Sequence, residues 1–299
     1  MKLIQLLGSR SKSDFAIYLG HTIAAMEKRV LIIDSTNNNE YLHSYIQLEE
    51  KESLYEFQDV EILINTKSMK ELVEKLANSN EELENFDCVI VDSNDSKTIF
   101  NDWPKFHHVL YISDNTRFTI TQDVEILNDY ADTTGNTILQ RIHFESAYKI
   151  PNDYLDLLIN NRIEFKSVCE PLEYDDQEHK LRNYMQHEAV IPYNKLPKDY
   201  KKLLKSVVIE MYDIGNKDFE ASTKRGPLGM LFGRFKTKAQ SEQKQNSKLD
   251  IEQEVLEVQN QPRLVLNNVS HNHKSESSEF DKSSDKTTNS KKSKEVVGG

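Results

Sequence analysis

The chain has 299 residues, of which 37% are apolar, and a formal net charge of −11. Residues 221–299 hold 14 Lys and Arg against 10 Asp and Glu, a net charge of +4, so residues 1–220 carry −15. Such an acidic body disfavours nonspecific binding of nucleic acid, which requires a basic face. The sequence has no signal-peptide pattern and no apolar run of about 18 residues, so we expect a cytoplasmic protein.

The first 34 residues are predicted to form a strand, a helix and a second strand. The run Lys2–Leu7 is apolar and stops at Gly8, as a buried parallel strand does where it meets a tight turn. A helix is expected from Ser13, because apolar residues then recur at spacings of three and four: Phe15, Ala16, Leu19, Ile23 and Met26. Residues 29–34 form a second apolar strand, which ends in the carboxylate of Asp34. In a doubly wound sheet, ligands bind at this edge.

Similar elements recur along the next 180 residues. Apolar strands are predicted over 86–93, 107–113 and 137–141, and a helix is predicted over 118–130. A closing helix is expected after Pro197, because apolar residues follow at helical spacing: Leu203, Leu204, Val207 and Val208. This alternation predicts an α/β fold with one doubly wound, mostly parallel sheet.

The segment around Lys12 and Ser13 resembles a known family. A strand, a Lys-Ser pair, a helix and an apolar strand ending in Asp follow one another in the MinD/ParA superfamily of deviant Walker, or P-loop, ATPases. In this register the loop is about three residues short, and the positions of the family's signature lysine and glycines hold Ser9, Arg10 and Ser11. A phosphate loop directs successive backbone NH groups at phosphate, which favours glycine. The resemblance therefore implies the scaffold with a degenerate nucleotide site.

Three later segments are similar to the same family. The strand over 86–93 looks like its Walker B strand, with Asp92 as the residue that would reach Mg²⁺ through water. The strand over 137–141 resembles the one that leads to the family's base-contacting Asn-Arg pair, with Gln140 in place of the asparagine. Residues 190–194 are similar to its IPYD segment. The likeness covers residues 1 to about 212.

The resemblance implies a site at the carboxyl edge of the sheet. Its degenerate phosphate loop would consist of Gly8, Ser9, Arg10, Ser11, Lys12 and Ser13. In an active enzyme, Ser13 and Asp92 would hold Mg²⁺, and Asp34 and Asp92 would be the catalytic residues around the metal and the attacking water. ATP and Mg²⁺ would be the cofactors of that enzyme. Because the loop glycines are missing, we expect no cofactor.

The sequence after residue 215 differs from the α/β domain predicted over 1–215. Within a basic amphipathic segment over 216–238, residues 224–238 hold five basic and no acidic side chains, and they are similar to the short membrane-targeting helix of MinD proteins. The expected membrane contacts are Leu228, Met230, Leu231, Phe232, Arg234, Phe235 and Lys236. A bare basic linker is the alternative interpretation. The polar sequence over 239–299 predicts a disordered tail.

These features favour a noncatalytic or weakly catalytic positioning and scaffolding protein, located in the cytoplasm and peripherally at the inner face of the cell membrane. The resemblance to degenerate, TadZ/CpaE-like members implies partners among the protein components of a pilus, secretion or conjugation machine. An anionic membrane surface and a second copy of the chain are further expected partners, whereas nucleic acid is not expected. Two alternatives stay open: an active ATPase with a shortened loop, and a plasmid or chromosome partition protein.

Overall fold

The computed structural model describes residues 1–46, 53–96, 102–135, 138–144, 148, 150–151, 153–167, 171–173 and 175–224. The predicted membrane contacts between Leu228 and Lys236, and the predicted tail, lie outside the described residues. The predicted domain boundaries at residues 215 and 238 therefore stay predictions.

The described strands form one eight-stranded sheet in the order β3-β4-β2-β5-β1-β6-β7-β8. Seven neighbouring pairs make up this sheet, and all are parallel except the β3-β4 hairpin. The strands are β1 (Lys2–Leu7), β2 (Val30–Asp34), β3 (Leu54–Phe57), β4 (Val60–Leu63), β5 (Cys88–Ser93), β6 (His108–Asp114), β7 (Ile138–Phe144) and β8 (Glu164–Ser167). The predicted mostly parallel, doubly wound α/β fold is confirmed.

Helices cover both faces of the sheet, because successive side chains of each buried strand point to opposite faces. They are α1 (Ser13–Ala24), α2 (Glu40–Tyr45), α3 (Met69–Asn78), α4 (Arg117–Thr134), α5 (Tyr154–Leu158), α6 (Asp176–Glu188), α7 (Lys198–Tyr212) and α8 (Asn216–Lys224). Leu3 and Leu31 pack with α3 on one face, while Ile4 and Ile32 pack with α1 and α7 on the other. The central strands are therefore buried on both faces of the sheet.

The predicted strand ends differ slightly from the observed ones, and one difference concerns Gln140. The strand expected over 137–141 runs over Ile138–Phe144, so Gln140 lies well before its carboxyl end, opposite Leu110. The Gln140 amide donates a hydrogen bond to Glu210, near the last turn of α7. The side chain is therefore engaged with α7, and its match to the family's base-contacting asparagine stays a prediction.

The helix α8 continues the packed body beyond residue 215. Phe219 is 8% exposed and belongs to the same core cluster as α1 and α7. Lys205 on α7 forms an ion pair with Glu220 at 3.0 Å. The first nine residues of the predicted basic segment thus form a helix on the α/β body.

Gly8 fixes the path of the chain as it leaves β1. Its φ is +129°, and a Cβ built there would lie 2.5 Å from the carbonyl oxygen of Ile112 on β6. Only glycine accommodates both conditions without strain. This close approach holds the loop after β1 against β6.

Candidate functional site

The loop over 8–12 lies at the carboxyl edge of the sheet, between β1 and α1. β1 pairs with β5 on one side and β6 on the other, so the two halves of the sheet meet at this strand. Such a switch point leaves a crevice outside the strand ends. Asp34 ends β2 and lies opposite Asp92 of β5 in the parallel register. The fold thus brings Lys12, Asp34 and Asp92 to one edge.

Lys12 and Asp92 form an ion pair that is closed to solvent. Lys12 Nζ lies 2.9 Å from Asp92 Oδ1, and each side chain is 1% exposed. The ammonium also donates to the carbonyl oxygens of Gly8 at 2.6 Å and Arg10 at 3.2 Å. The Tyr41 hydroxyl donates to Asp92 Oδ2 at 2.8 Å. Burial raises the pKa of Asp92, while Lys12 and Tyr41 favour its charged form.

Asp34 is held mainly by its own turn. Its Oδ1 accepts hydrogen bonds from the Thr36 amide at 3.0 Å and the Thr36 hydroxyl at 2.5 Å. Its Oδ2 is buried and makes no close hydrogen bond among the described residues. Burial raises the pKa of Asp34. Asp34 in turn raises the pKa of Asp92, because two neighbouring buried carboxylates resist ionising together.

A third carboxylate, that of Glu40, lies against the loop. Its Oε1 accepts hydrogen bonds from the Ser11 hydroxyl, from the Ser13 hydroxyl at 2.6 Å and from Arg182 Nη2 at 2.7 Å. Arg182 belongs to α6 and also donates to Ser11 Oγ at 2.5 Å. The first residue of α2 therefore accepts hydrogen bonds from the Ser11 hydroxyl of the loop, from the Ser13 hydroxyl at the start of α1 and from one guanidinium group.

The backbone of the loop is bound by a carboxylate from α4. The Ser9 amide donates to Asp123 Oδ1 at 2.7 Å, and the Ser9 hydroxyl donates to the carbonyl oxygen of Thr119 at 3.1 Å. Asp123 is fully buried, and its Oδ2 accepts the Tyr111 hydroxyl at 2.7 Å. This loop amide is therefore committed to a protein side chain.

Arg10 links the loop to β7 and α6. Its guanidinium lies 3.7 Å from the centre of the Phe144 ring, 3.7 Å from Asp114 and 3.5 Å from Glu178. Burial and the nearby Asp14 raise the pKa of Glu178 to about 7, against the opposing effect of Arg10. Glu178 is therefore a carboxyl group that gains and loses its proton near neutral pH.

Three of the side chains assigned to MgATP are already bound by the protein in this arrangement. The resemblance assigns Lys12 to phosphate and Ser13 and Asp92 to Mg²⁺, but each of these side chains is bound to a protein group. Phosphate or Mg²⁺ would therefore replace these protein partners rather than add to them, and such an exchange of hydrogen bonds contributes little net free energy. Within the described ranges, no three His, Cys, Asp or Glu side chains are grouped so as to hold a metal ion.

Sequence reasoning found the loop and missed the groups that bind it. Gly8, Ser9, Arg10, Ser11 and Lys12 lie together in the loop, Ser13 begins α1, and Asp34 and Asp92 lie at neighbouring strand ends. Glu40, Tyr41, Asp123 and Arg182 were not expected there. Asp123 and Arg182 lie 114 and 171 residues away from their loop partners, so no local spacing points to them.

Comparison with known proteins finds similar solved structures. No family model matches the chain, and no curated protein sequence matches it. The chain is similar to a chain of the MinC:MinD cell division protein complex of Aquifex aeolicus, with 10% identity, a TM-score of 0.49, and coverage of 71% of this chain and 96% of that one. It is also similar to a Borrelia burgdorferi B31 plasmid partition protein bound to AMPPNP, with 15% identity, a TM-score of 0.43 and coverage of 71% and 98%.

A third similar structure is ParA of pNOB8 bound to nonspecific DNA, with 11% identity, a TM-score of 0.44 and coverage of 71% of this chain and 99% of that one. The doubly wound fold itself is defined by the strand order and pairing described above. In the part of the chain that the structure describes, no helix is both long and apolar enough to cross a membrane.

Replacing Glu178 with Gln is expected to remove a pH-dependent loss of stability. The folded chain keeps a proton on Glu178 up to about pH 7, whereas an unfolded chain releases it near the ordinary pKa of 4.5. The charge on Glu178 therefore lowers the free energy of unfolding as pH rises between these values, by about 1.4 kcal/mol per pH unit. Urea unfolding at pH 5 and 7.5 measures the free energy of unfolding of both chains. The value for Glu178→Gln minus that for the natural chain should rise by about 2–3 kcal/mol from pH 5 to pH 7.5.

The matched control is Glu188→Gln, an exposed position at the end of the same helix. It should change stability little and equally at both pH values. If the free energies of unfolding of Glu178→Gln and the natural chain differed by the same amount at both pH values, the raised pKa of Glu178 would be contradicted.

Proposed function

We propose that this chain is a MinD/ParA-like positioning or scaffolding protein that acts without ATP hydrolysis. The observation that carries the proposal is the ion pair between Lys12 and Asp92, at 2.9 Å and closed to solvent. In the family that the sequence resembles, the matching residues serve phosphate and Mg²⁺. A nucleotide switch needs a ligand that binds two states differently. The Lys12 ammonium and the Ser13 hydroxyl already have protein partners and so give a nucleotide little to add, which suits a constitutive scaffold.

Proteins are the partners that suit this charge distribution. The net charge of −15 over residues 1–220 opposes the binding of nucleic acid. We propose instead that the partners are protein components of a membrane-associated machine of the pilus, secretion or conjugation type. This is the role of the TadZ/CpaE-like members that the sequence resembles. Self-association of such a chain would proceed without nucleotide, because its phosphate-binding groups are engaged internally.

We further propose that residues 224–238 bring the chain to the inner face of the membrane. Five cations without a carboxylate can attract anionic lipid at about 1 kcal/mol each, and leucine and phenylalanine side chains can enter the interface. An acidic body is repelled by the same surface. Membrane binding should therefore depend on this segment.

Titration of the full chain with MgATP tests the absence of a nucleotide function. We expect no saturable binding below about 1 mM by calorimetry, because binding must first separate Lys12 from Asp92. Lys12→Ala should leave this result unchanged, as should the control Lys28→Ala at the opposite edge of the sheet. Micromolar binding that is lost in Lys12→Ala and kept in Lys28→Ala would establish the active-ATPase alternative.

Vesicle sedimentation tests the membrane segment. The full chain should pellet with anionic vesicles, less so at high salt, and should stay in solution with neutral ones. Replacing Leu231 and Phe232 with Asp should abolish pelleting, since both apolar anchors are lost. The matched control replaces Leu264 and Leu266 of the tail with Asp and should pellet normally. Equal pelleting of all three chains would show that the segment is only a linker.

A further inference from the structure

The strand β8 lies at one end of the sheet, and its outer edge pairs with no strand within the described ranges. Its inner edge pairs with β7, where Phe165 lies opposite Leu139. An edge strand presents a row of backbone NH and carbonyl groups that a further strand can bind. This edge is also three strands away from β1, so a chain that binds here leaves the loop over 8–12 untouched.

The side chains of β8 alternate between the two faces of the sheet. Phe165 packs on the face that α4 and α5 cover, and its ring centre lies 5.3 Å from that of Tyr111. Glu164 and Lys166 point to the opposite face and are exposed. Two side chains of opposite charge therefore flank the central phenylalanine, one on each side.

This charge pattern is complementary to itself in one register. When two copies join their β8 strands antiparallel about a two-fold axis, directly opposed residues point to the same face of the joined sheet. Because side chains alternate, the axis must then pass through a residue rather than between two residues. An axis at Phe165 places Glu164 of each copy opposite Lys166 of the other. An axis at Glu164 or at Lys166 would instead place that charge opposite its own copy.

We propose that a second copy of this chain adds its β8 antiparallel to β8, with a two-fold axis at Phe165. The sheet then continues through both copies, and the pair between Glu164 and Lys166 is made twice. The two Phe165 rings meet across the axis, and both aromatic and opposite-charge pairs stabilise antiparallel strands. The inference rests on the proposed function in one respect, because it locates the self-association without nucleotide that is proposed above.

The helix α5 adds exposed apolar surface beside this edge. It precedes β8 in the chain and packs on the same face as Phe165, through the buried Leu155. Three of its five residues are apolar or aromatic and between 41% and 61% exposed: Tyr154, Leu157 and Leu158. A group of exposed apolar side chains next to an open strand is typical of a surface that binds another protein.

Exchange of the charges on β8 in the full chain tests this interface. Sedimentation velocity without nucleotide should show a monomer–dimer equilibrium for the natural chain. Glu164→Lys and Lys166→Glu should each raise the dimer dissociation constant at least tenfold, because each turns two opposite-charge pairs into two like-charge pairs. The variant with both changes restores the two pairs, and its dissociation constant should return to within about threefold of the natural value.

An equimolar mixture of the two single variants is a second test. Glu164→Lys has lysine at both positions and Lys166→Glu has glutamate at both, so a mixed dimer regains every opposite-charge pair. Native mass spectrometry should show the mixed dimer and little of either homodimer. The matched control is Glu74→Lys at an exposed position of α3, which should dimerise as the natural chain does.

The outcomes separate this inference from the proposed function. A dimer that forms without nucleotide and does not respond to the charge exchange would overturn the β8 interface and leave the proposed function intact. A monomer both with and without MgATP would also overturn the interface. A dimer that forms only with MgATP would contradict the proposed function, and its response to the charge exchange would still decide the interface. Since both positions are exposed, the far-ultraviolet circular dichroism of each variant should match that of the natural chain.

Discussion

A lysine ammonium can remain charged inside a protein only where nearby groups replace its water, and Lys12 finds these groups in Asp92 and two carbonyl oxygens of its own loop. The need to surround this buried ammonium with polar groups determines much of the nearby structure. The loop must curl back over its lysine, which the left-handed Gly8 permits. Asp92 must stay charged, and the hydroxyl of Tyr41 assists it from α2. One buried charge thus connects β1, β5 and α2.

Other carboxylates bind the rest of the loop. Glu40 occupies the serine hydroxyls and Arg182, and Asp123 occupies the Ser9 amide. Each interaction joins the loop to a different helix, so the crevice is held by α2, α4 and α6 together. Groups that are satisfied internally gain little from a ligand, because a new hydrogen bond only replaces an old one. This is the physical basis for proposing a scaffold rather than a nucleotide-driven switch.

The sheet could be predicted because buried parallel strands are continuous apolar runs, as β1 and β5 are, and because α1 and α7 carry regular apolar stripes. The helix α2 could not, since six residues with two buried tyrosines give no clear period. The groups that bind the loop were hidden for another reason. These groups are distant from the loop in sequence. The missing glycines therefore indicate a degenerate phosphate site but do not reveal which side chains take the place of the phosphate.

A double-substitution cycle on Lys12 and Asp92 tests the central claim most directly. Urea unfolding gives the free energies of the natural chain, Lys12→Met, Asp92→Asn and the combined variant. If the two side chains are bound to each other, each single change should cost about 3–5 kcal/mol, and the combined change should cost little more than one of them. Small, additive losses would show that the two groups are independent, and would contradict an internally satisfied site.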